Sequence, residues 1–343
     1  MKKVLVVRND KIGDFMLAWP SFAMLKQSLP DTEVTALVPS YTAELATLCP
    51  WIDEVIVDCG ENADKDQQKT LLSAVKTAGF DASICLFSDA YNAKLMWGAR
   101  IPFRLAPATK IWQFLYNHRI TQRRSRSEKP EYEYNLDLIR AFLTKLGKKI
   151  VEPEAPYLTF DPLTLDIQRE KLAASLNIDV ASPWLFVHAG SGGSANNLSL
   201  EQYRELISGI VSQQGMEVVL TAGPGEKEKA RELQSLLKAD RVNATVYDKN
   251  AGLQDFTCSI ACASFFIAGS TGPLHIAATV DVPTVGFYPN KRSATPLRWR
   301  TINSKGRHVA FAPDADKDKD VASDMSRIKV NEIVGDVLGF MRR

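Results

Sequence analysis

The chain has 343 residues, and at roughly 150 residues per domain this length predicts two domains. Its 42 Lys and Arg against 40 Asp and Glu leave a formal charge of +2. This near-balance excludes a protein that binds nucleic acid through bulk charge. No apolar stretch reaches the roughly 18 residues of a membrane-spanning helix, and the first apolar run is too short for a signal peptide. We therefore expect a cytosolic protein that can contact a membrane without crossing it.

The five cysteines are scattered along the chain. An odd and dispersed set is typical of reduced thiols rather than of a disulfide framework. Cys258 and Cys262 share a predicted helix face, but no second pair and no nearby His completes a zinc site. The sequence therefore predicts no metal site.

In the first half of the chain, short apolar runs alternate with helical patterns. Strands are predicted at residues 3–7, 33–38, 54–57 and 82–87, and helices at residues 14–29, 66–78 and 133–146. Strands that alternate with helices imply right-handed crossovers and a mostly parallel sheet.

A Pro-rich segment at residues 150–166 predicts a linker, after which the alternation restarts. Strands are predicted at 184–188, 217–221, 244–247, 265–268 and 284–287, and helices at 166–176, 200–213, 226–237, 253–263, 273–279 and 330–341. The fold class is therefore α/β with two Rossmann-like domains, at residues 1–155 and 165–325. Ligands of such sheets bind at the carboxyl ends of the strands, so the loops after strands are the candidate sites.

Residues 100–129 differ from the segments around them. They contain eight Lys or Arg residues, one acid (Glu128), and aromatic side chains such as Trp112 and Phe114. Such a segment is either a solvated loop or a surface for an anionic, amphiphilic partner. No DNA- or RNA-binding module is recognisable, so a nucleic acid partner is not expected.

The loop after the first strand contains Gly13 and Asp14. Gly13 permits a tight turn, and Asp14 then lies at the start of a helix, where the helix dipole favours a carboxylate. Asp14 is either a helix cap or a general base. The Gly-x-Gly-x-x-Gly spacing of dinucleotide-binding proteins is absent here, which argues against an oxidoreductase.

Three loops of the second half are candidate anion sites. Residues 190–194 are rich in glycine and serine, so their backbone can approach an anion closely. Residues 269–275 turn from a strand into a helix whose first amides would point at a ligand, with Pro273 suited to the first turn and His275 either packed or a contact. Residues 222–228 either only turn the chain or place Glu226 beside a nucleoside.

The motifs occur in a familiar order: Lys11-Ile12-Gly13-Asp14, Tyr134-Asn135-Leu136-Asp137-Leu138, and the segments 188–194, 222–226 and 270–278. Together they resemble glycosyltransferase family 9, the ADP-heptose:lipopolysaccharide heptosyltransferases. The resemblance implies a GT-B fold, with the acceptor on the N-terminal domain, the sugar nucleotide on the C-terminal domain, and a cleft between them. It also implies that residues 326–343 form a helix that packs back on the N-terminal domain.

The activity that the resemblance implies is inverting transfer of a heptose from an ADP-sugar to the lipopolysaccharide inner core, without a metal or another cofactor, at the cytoplasmic face of the inner membrane. It makes Asp14 the catalytic base. The implied donor-binding residues are Gly190, Ser191, Gly192, Gly193, Ser194, Asn196, Gly223, Glu226, Ser270, Thr271, Gly272, Pro273, Leu274 and His275. The acceptor-binding residues are expected to be Lys11, Gly13, Arg104, Lys110, Arg119, Arg123 and Arg124.

The chain departs from the family pattern at two positions. Asn196 stands where a phosphate-facing Lys is expected, and Ser270 stands where many members have Asp. A neutral amide supplies no charge, so we hypothesise that Lys291 or Arg292 provides the cation. These departures leave two alternatives open, a sugar-nucleotide-binding relative that has lost turnover and a nucleotide-sugar epimerase of similar architecture.

Overall fold

A computed structural model describes residues 1–192 and 196–343. The chain divides into two compact units. The first unit comprises Met1–Arg124 and Lys129–Tyr157, and the second comprises Ser125–Glu128 and Leu158–Arg343. The division at residue 157 lies inside the Pro-rich segment that the sequence indicates as a linker.

The first unit is a parallel sheet of six strands in the order β3-β2-β1-β4-β5-β6. Its strands are β1 (Lys3–Val7), β2 (Glu33–Pro39), β3 (Glu54–Asp58), β4 (Ala82–Cys85), β5 (Phe103–Pro107) and β6 (His118–Ile120). Its helices are α1 (Ile12–Met16), α2 (Trp19–Ser28), α3 (Ala43–Leu48), α4 (Lys65–Thr77), α5 (Ala90–Gly98) and α6 (Glu131–Lys145).

The second unit repeats this architecture with the strand order β12-β11-β10-β7-β8-β9. Its strands are β7 (Trp184–His188), β8 (Glu217–Thr221), β9 (Ala244–Tyr247), β10 (Phe265–Gly269), β11 (Thr284–Phe287) and β12 (His308–Phe311). Its helices are α7 (Pro162–Leu176), α8 (Leu200–Val211), α9 (Lys227–Ala239), α10 (Leu253–Ala261), α11 (Gly272–Thr279) and α12 (Val330–Met341).

Burial explains why the central strands are apolar along their whole length. Every residue of β7 and β11 is buried, as are the last four residues of β1. A parallel sheet with helices on both faces has no solvated side, so its inner strands do not alternate. Capping boxes then fix the starts of α4 and α8, through Asp64 with Gln67 and Ser199 with Gln202.

The structure corrects the sequence-based boundaries in the first unit. One helix with a kink at Pro20 was expected over residues 14–29, but the chain breaks earlier, at Leu17 and Ala18 between α1 and α2, and Pro20 lies in the first turn of α2. The Pro ring fits that position because no helical partner is needed there for its missing N–H. The basic segment 100–129, for which no strand was expected, supplies β5 and β6, and α3, α5 and β12 were also missed.

The last helix, α12, packs against α8 in the second unit. Its buried residues Val330, Val337, Leu338 and Met341 belong to the core of that unit. At Gly209 of α8, a Cβ atom would lie 3.0 Å from the Val334 side chain. The packing of residues 326–343 on the N-terminal domain, which the resemblance implies, stays a prediction.

In the parts of the chain that the structure describes, no helix is long and apolar enough to cross a lipid bilayer.

Candidate functional site

Each sheet has a position where its strand order reverses, between β1 and β4 in the first unit and between β7 and β10 in the second. The loops that follow these strands diverge to opposite sides and leave a crevice at the carboxyl edge of the sheet. The sequence motifs around Asp14, Gly190 and Thr271 all lie in such loops. We describe the two edges separately.

A buried arginine organises the edge of the first unit. Arg8 directly follows β1 and is 1% exposed. Its Nη2 lies 2.6 Å from Oδ1 of Asp14, and its Nε lies 2.9 Å from Oδ1 of Asp10. Burial by itself would lower the pKa of Arg8, but the carboxylates of Asp10, Asp14 and Glu131 raise it above its ordinary value. The guanidinium therefore stays charged, and one cation joins two acids of the same loop.

Helix α6 fixes the far side of this guanidinium. Nη1 of Arg8 donates to Oδ1 of Asn135 over 3.3 Å and lies 3.5 Å from Oε1 of Glu131. Nδ2 of Asn135 in turn donates to the carbonyl of Leu17, at the break between α1 and α2. A second guanidinium, that of Arg124, lies 2.6 Å from the same Glu131 oxygen. Buried charges are tolerated only when they are paired and hydrogen-bonded in this way.

The Asp14 side chain is 16% exposed. It is the third residue of α1, a helix of five residues whose N-cap residue, Lys11, provides no side-chain cap. Its carboxylate is bonded to Arg8, so a capping role does not explain its position.

Burial raises the pKa of the neighbouring Asp10 to about 6, although Arg8 opposes this shift. The sequence analysis missed Arg8 and Asp10; the available signal was a charged residue directly after an apolar strand.

A second polar group steadies the same loop. The Asn9 amide donates to Oδ2 of Asp58 over 2.5 Å and exchanges hydrogen bonds of 2.9 and 3.0 Å with Asn92. The Tyr91 hydroxyl donates to the other Asp58 oxygen over 2.5 Å. These contacts join the ends of β1 and β3 to α5. The sequence analysis missed them because the residues are far apart in the chain.

The predicted acceptor-binding residues have different roles in the structure. Arg124 belongs to the network of Arg8, whereas Arg104 donates to the backbone carbonyls of Leu115 and Ile101. Lys11 and Arg123 are exposed, Gly13 is half-buried in α1, and Lys110 and Arg119 lie against exposed aromatic rings.

In the second unit, a carboxylate fills the glycine-rich loop. Gly192 N–H donates to Oε1 of Glu226 over 2.8 Å, and Gly223 N–H donates to Oε2 over 3.0 Å. A Cβ atom at Gly190 would lie 2.3 Å from this carboxyl group, so a larger residue there would displace the Glu226 side chain from these amides. Amides that the sequence analysis assigned to the donor thus already bind an anion, the side chain of Glu226. Gly193 and Ser194 lie outside the described residues.

His188 contacts the carboxylate of Glu226. Its Nε2 lies 3.3 Å from Oε2 of Glu226, and its Nδ1 lies 3.0 Å from Oγ1 of Thr221. Burial lowers the pKa of His188, although the charge of Glu226 opposes this shift. Burial raises the pKa of Glu226, but His188 and the amides of Gly192 and Gly223 outweigh it and lower the pKa below its ordinary value. The carboxylate is thus ionised.

The first turn of α11 is free of a side-chain cap. The N-cap residue Thr271 forms no cap bond, because its hydroxyl donates to the carbonyl of Gly269 instead. Ser270 N–H donates to the carbonyl of Phe287, and Gly272, Pro273 and Leu274 form the start of the helix. Uncapped amides at a helix start are a ready site for an anion. This turn therefore fits a phosphate group.

Asn197 joins the two loops of this edge and was missed by the sequence analysis. Its amide donates to the carbonyls of Ala189 and Gly190, each over 3.0 Å, and its Oδ1 accepts from the Tyr203 hydroxyl over 2.7 Å. A Cβ atom at Gly269 would lie 2.5 Å from this oxygen. Gly269 therefore allows the loop after β7 to pack on the end of β10.

The residues expected to supply or replace the phosphate-facing cation are spread over this unit. The Asn196 amide donates to the carbonyl of Ser323 over 2.8 Å. Lys291 is half-buried and Arg292 is exposed in the segment after β11. Within residues 1–192 and 196–343, neither Lys291 nor Arg292 forms an ion pair.

These sites can be compared with known proteins. The family model of glycosyltransferase family 9 (heptosyltransferase) matches residues 70–328. This chain belongs to that family.

A Haemophilus influenzae protein, which its name assigns only provisionally as a glycosyltransferase, is 53% identical over all of this chain and 97% of its own length. Lipopolysaccharide heptosyltransferase 2 of Salmonella typhimurium is 21% identical over 86% of this chain and 85% of its own. The structure of the ADP-heptose lipopolysaccharide heptosyltransferase II of Escherichia coli superposes with a TM-score of 0.77 at 15% identity and covers 100% of this chain and 99% of that one. The family 9 chain thus has the GT-B fold of these heptosyltransferases.

Buried histidines of the second unit predict a loss of stability in acid. Burial lowers the pKa of His275 to about 4, from an ordinary value of 6.5. The unfolded chain then binds a proton that the folded chain does not, so stability falls as the pH drops from 6.5 towards 4. At pH 5, this one residue should cost about 2 kcal/mol. The free energy of unfolding of His275→Gln, measured in urea at pH 7 and pH 5, should fall correspondingly less than that of the wild type.

The control is His118→Gln in the first unit, because His118 is stacked on Phe103 and remains partly exposed. Burial lowers the pKa of His118 as well, so this variant should lose part of the wild-type difference between the two pH values, but a smaller part than His275→Gln loses. Equal pH dependence of His275→Gln and the wild type would contradict the assignment.

Proposed function

We propose that this family 9 protein is an inverting glycosyltransferase that transfers a heptose, or a related sugar, from an ADP-sugar to the lipopolysaccharide inner core. We further propose that the reaction needs no metal and takes place at the cytoplasmic face of the inner membrane. The observation that supports the catalytic part best is the contact between Asp14 and the buried Arg8. Membership of the family supports the choice of donor and acceptor.

In this proposal, Asp14 is the general base. An acceptor hydroxyl is a poor nucleophile, and a carboxylate within hydrogen-bond reach takes its proton as the attack proceeds, which contributes about 10²–10⁴-fold. Arg8 holds Oδ1 of Asp14, which leaves Oδ2 for the acceptor hydroxyl. Inversion needs one displacement, so a second nucleophilic carboxylate is not required.

The departing ADP needs stabilisation of its growing negative charge. The uncapped amides at the start of α11 suit this role. The glycine-rich loop suits it less, because Glu226 already occupies the amides of Gly192 and Gly223, and an ionised carboxylate repels a phosphate. We therefore place the diphosphate at α11 and direct the nucleoside towards Glu226, whose remaining lone pairs can accept from a ribose hydroxyl.

A sugar-nucleotide-binding relative without turnover is the second candidate. It is favoured by the Asn196 amide, which is bonded to the Ser323 carbonyl where the family pattern expects a phosphate-facing Lys. The Asp14–Arg8 pair disfavours it, because a buried charge network that ends at a cleft carboxylate is costly to keep without a use.

Replacing Asp14 tests the reaction. Asp14→Asn keeps the shape of the side chain and its bond to Arg8 but removes the base. We expect transfer, measured as ADP release with an acceptor oligosaccharide, to fall about 10²-fold or more, while donor binding and the melting temperature stay near wild type. Asp58→Asn is the control, since Asp58 belongs to the neighbouring loop network and does not contact Arg8. Turnover retained in Asp14→Asn would remove Asp14 from this role.

Arg8 is proposed as a positioning residue for Asp14. Arg8→Lys keeps the charge but loses the planar fork that reaches Asp10, Asp14 and Asn135 together. A displaced base can cost about 10²-fold, so we expect a lower kcat with an unchanged KM for the donor. The matched control is Arg140→Lys, which alters an arginine of α6 that is bonded to Glu133, Asp137 and Glu152. If Arg8→Lys and Arg140→Lys lost kcat equally, and each loss matched a fall in melting temperature, the role of Arg8 would be merely structural.

The proposed cation of the donor site is Lys291 or Arg292. If either pairs with the diphosphate, the double variant Lys291→Ala/Arg292→Ala should bind the donor about tenfold more weakly, the order expected for one charge-assisted hydrogen bond. Thermal shifts with ADP-, GDP- and UDP-sugars give the affinities and identify the base, because a ligand that binds only the native form raises the melting temperature. Arg231→Ala/Lys238→Ala, two exposed cations of α9, is the charge-matched control. Unchanged donor affinity in the first variant would overturn the assignment.

A further inference from the structure

Exposed aromatic side chains are concentrated on the first unit. Within the described ranges, 1–192 and 196–343, five aromatic residues are exposed, and all but Tyr41 fall between residues 87 and 114. With one aliphatic neighbour they form what we call the aromatic surface, whose exposed fractions are Phe87 39%, Trp97 59%, Ile111 73%, Trp112 38% and Phe114 72%. Neither the transfer reaction nor the core of the unit accounts for this concentration of exposed rings.

The backbone holds these side chains outward. Residues Ile111–Leu115 form a 3-10 helix, in which positions three apart are eclipsed, so Ile111 and Phe114 project side by side. Leu115 and Tyr116 pack into the core of the first unit directly after them. Lys110, which begins the turn, has a φ of +56°, a conformation that a non-glycine residue adopts only at a cost. The exposure of Ile111 and Phe114 is therefore built in by anchored neighbours.

Cations accompany the exposed rings. Nζ of Lys94 lies 4.6 Å from the centroid of Trp112, Nζ of Lys110 lies 5.9 Å from that of Phe87, and the Arg119 guanidinium lies 5.3 Å from that of Phe114. Residues 87–123 contain six Lys or Arg and a single acid, Asp89. The Asp89 carboxylate accepts from Asn92 N–H and caps α5. The aromatic surface is thus positively charged as well as apolar.

This combination fits the interface of an anionic bilayer. Aromatic rings favour the level of the lipid headgroups, and long cationic side chains extend along apolar matter towards phosphates. The bases of a single-stranded nucleic acid would stack on the exposed rings, but they would gain little binding energy from Ile111, the most exposed member of the set. We propose that the aromatic surface docks this protein on an anionic lipid bilayer, with Ile111 and Phe114 entering the interfacial layer and Lys94, Lys110 and Arg119 facing headgroup phosphates.

The aromatic surface adjoins the edge of the sheet that bears Asp14. Phe87 follows β4 and Lys110 follows β5, and the carboxyl ends of parallel strands share one edge of the sheet. Docking would therefore bring the loop of Asp14 near the membrane surface. This consequence rests on the proposed function, whereas the docking itself needs neither donor nor acceptor.

Vesicle sedimentation tests the docking. The wild-type protein should bind vesicles of phosphatidylglycerol, bind vesicles of phosphatidylcholine far more weakly, and dissociate at high salt. Ile111→Ser/Phe114→Ser should lower the partition coefficient on phosphatidylglycerol by about tenfold or more. Leu163→Ser/Ile167→Ser is the matched control, because these residues are 66% and 59% exposed on one face of α7. It should bind as the wild type does.

The readouts separate docking from catalysis. Asp14→Asn should bind vesicles normally, and Ile111→Ser/Phe114→Ser should keep the wild-type melting temperature and transfer to a water-soluble acceptor fragment. Vesicle binding that is equal in the surface variant and the control overturns the proposal. A wild-type dimer in solution that the surface variant converts to a monomer also overturns it, in favour of a second copy as the occupant.

Discussion

The site of the first unit depends on the burial of one guanidinium. Arg8 is withdrawn from water at the end of a strand that is itself buried, and an isolated charge there would cost several kcal/mol. Acids from the same loop offset this cost, as do acceptors from α6 such as Asn135, which lies 127 residues further along the chain. The orientation of Asp14 is therefore a consequence of how α6 packs, and the loop alone does not determine it.

The second unit stabilises a charge of the opposite sign. There a carboxylate, Glu226, is held by backbone amides and by His188, and no Lys or Arg of the described residues forms an ion pair with it. Backbone amides neutralise an anion without adding a mobile charge. The same loop geometry that suits a phosphate thus also suits a side chain of the protein, and a glycine-rich loop after a strand does not by itself show where a phosphate binds. The start of α11 has no side-chain cap and directly follows β10, one of the two strands at which the strand order of this sheet reverses.

Hydrophobic pattern predicts the inner strands well and the outer elements poorly. The bounds of β1, β7, β8 and β11 agree with the sequence prediction because nearly every residue of these strands is buried. The bounds of the edge strand β9 also agree, although only Tyr247 of its four residues is buried. The outer strands β5, β6 and β12 carry Arg104, His118 and His308, whose polarity breaks such a run. Asp14 was found as a candidate because its loop is local, whereas Arg8, Asn135 and Asn197 act through contacts that only the tertiary structure creates.

The Lys and Arg residues of the basic segment 100–129 fall into two groups with different contacts. Arg104 and Arg124 satisfy carbonyls and a carboxylate inside the first unit, while Lys110 and Arg119 remain beside exposed rings. A count of positive charges in the sequence cannot separate these groups, because the difference is set by which side chains reach a buried acceptor. Those that reach one stabilise the first unit, and those that do not carry the lipid docking that we propose. Because both groups lie on consecutive parallel strands and their loops, the charged surface and the catalytic candidate are held by the same sheet.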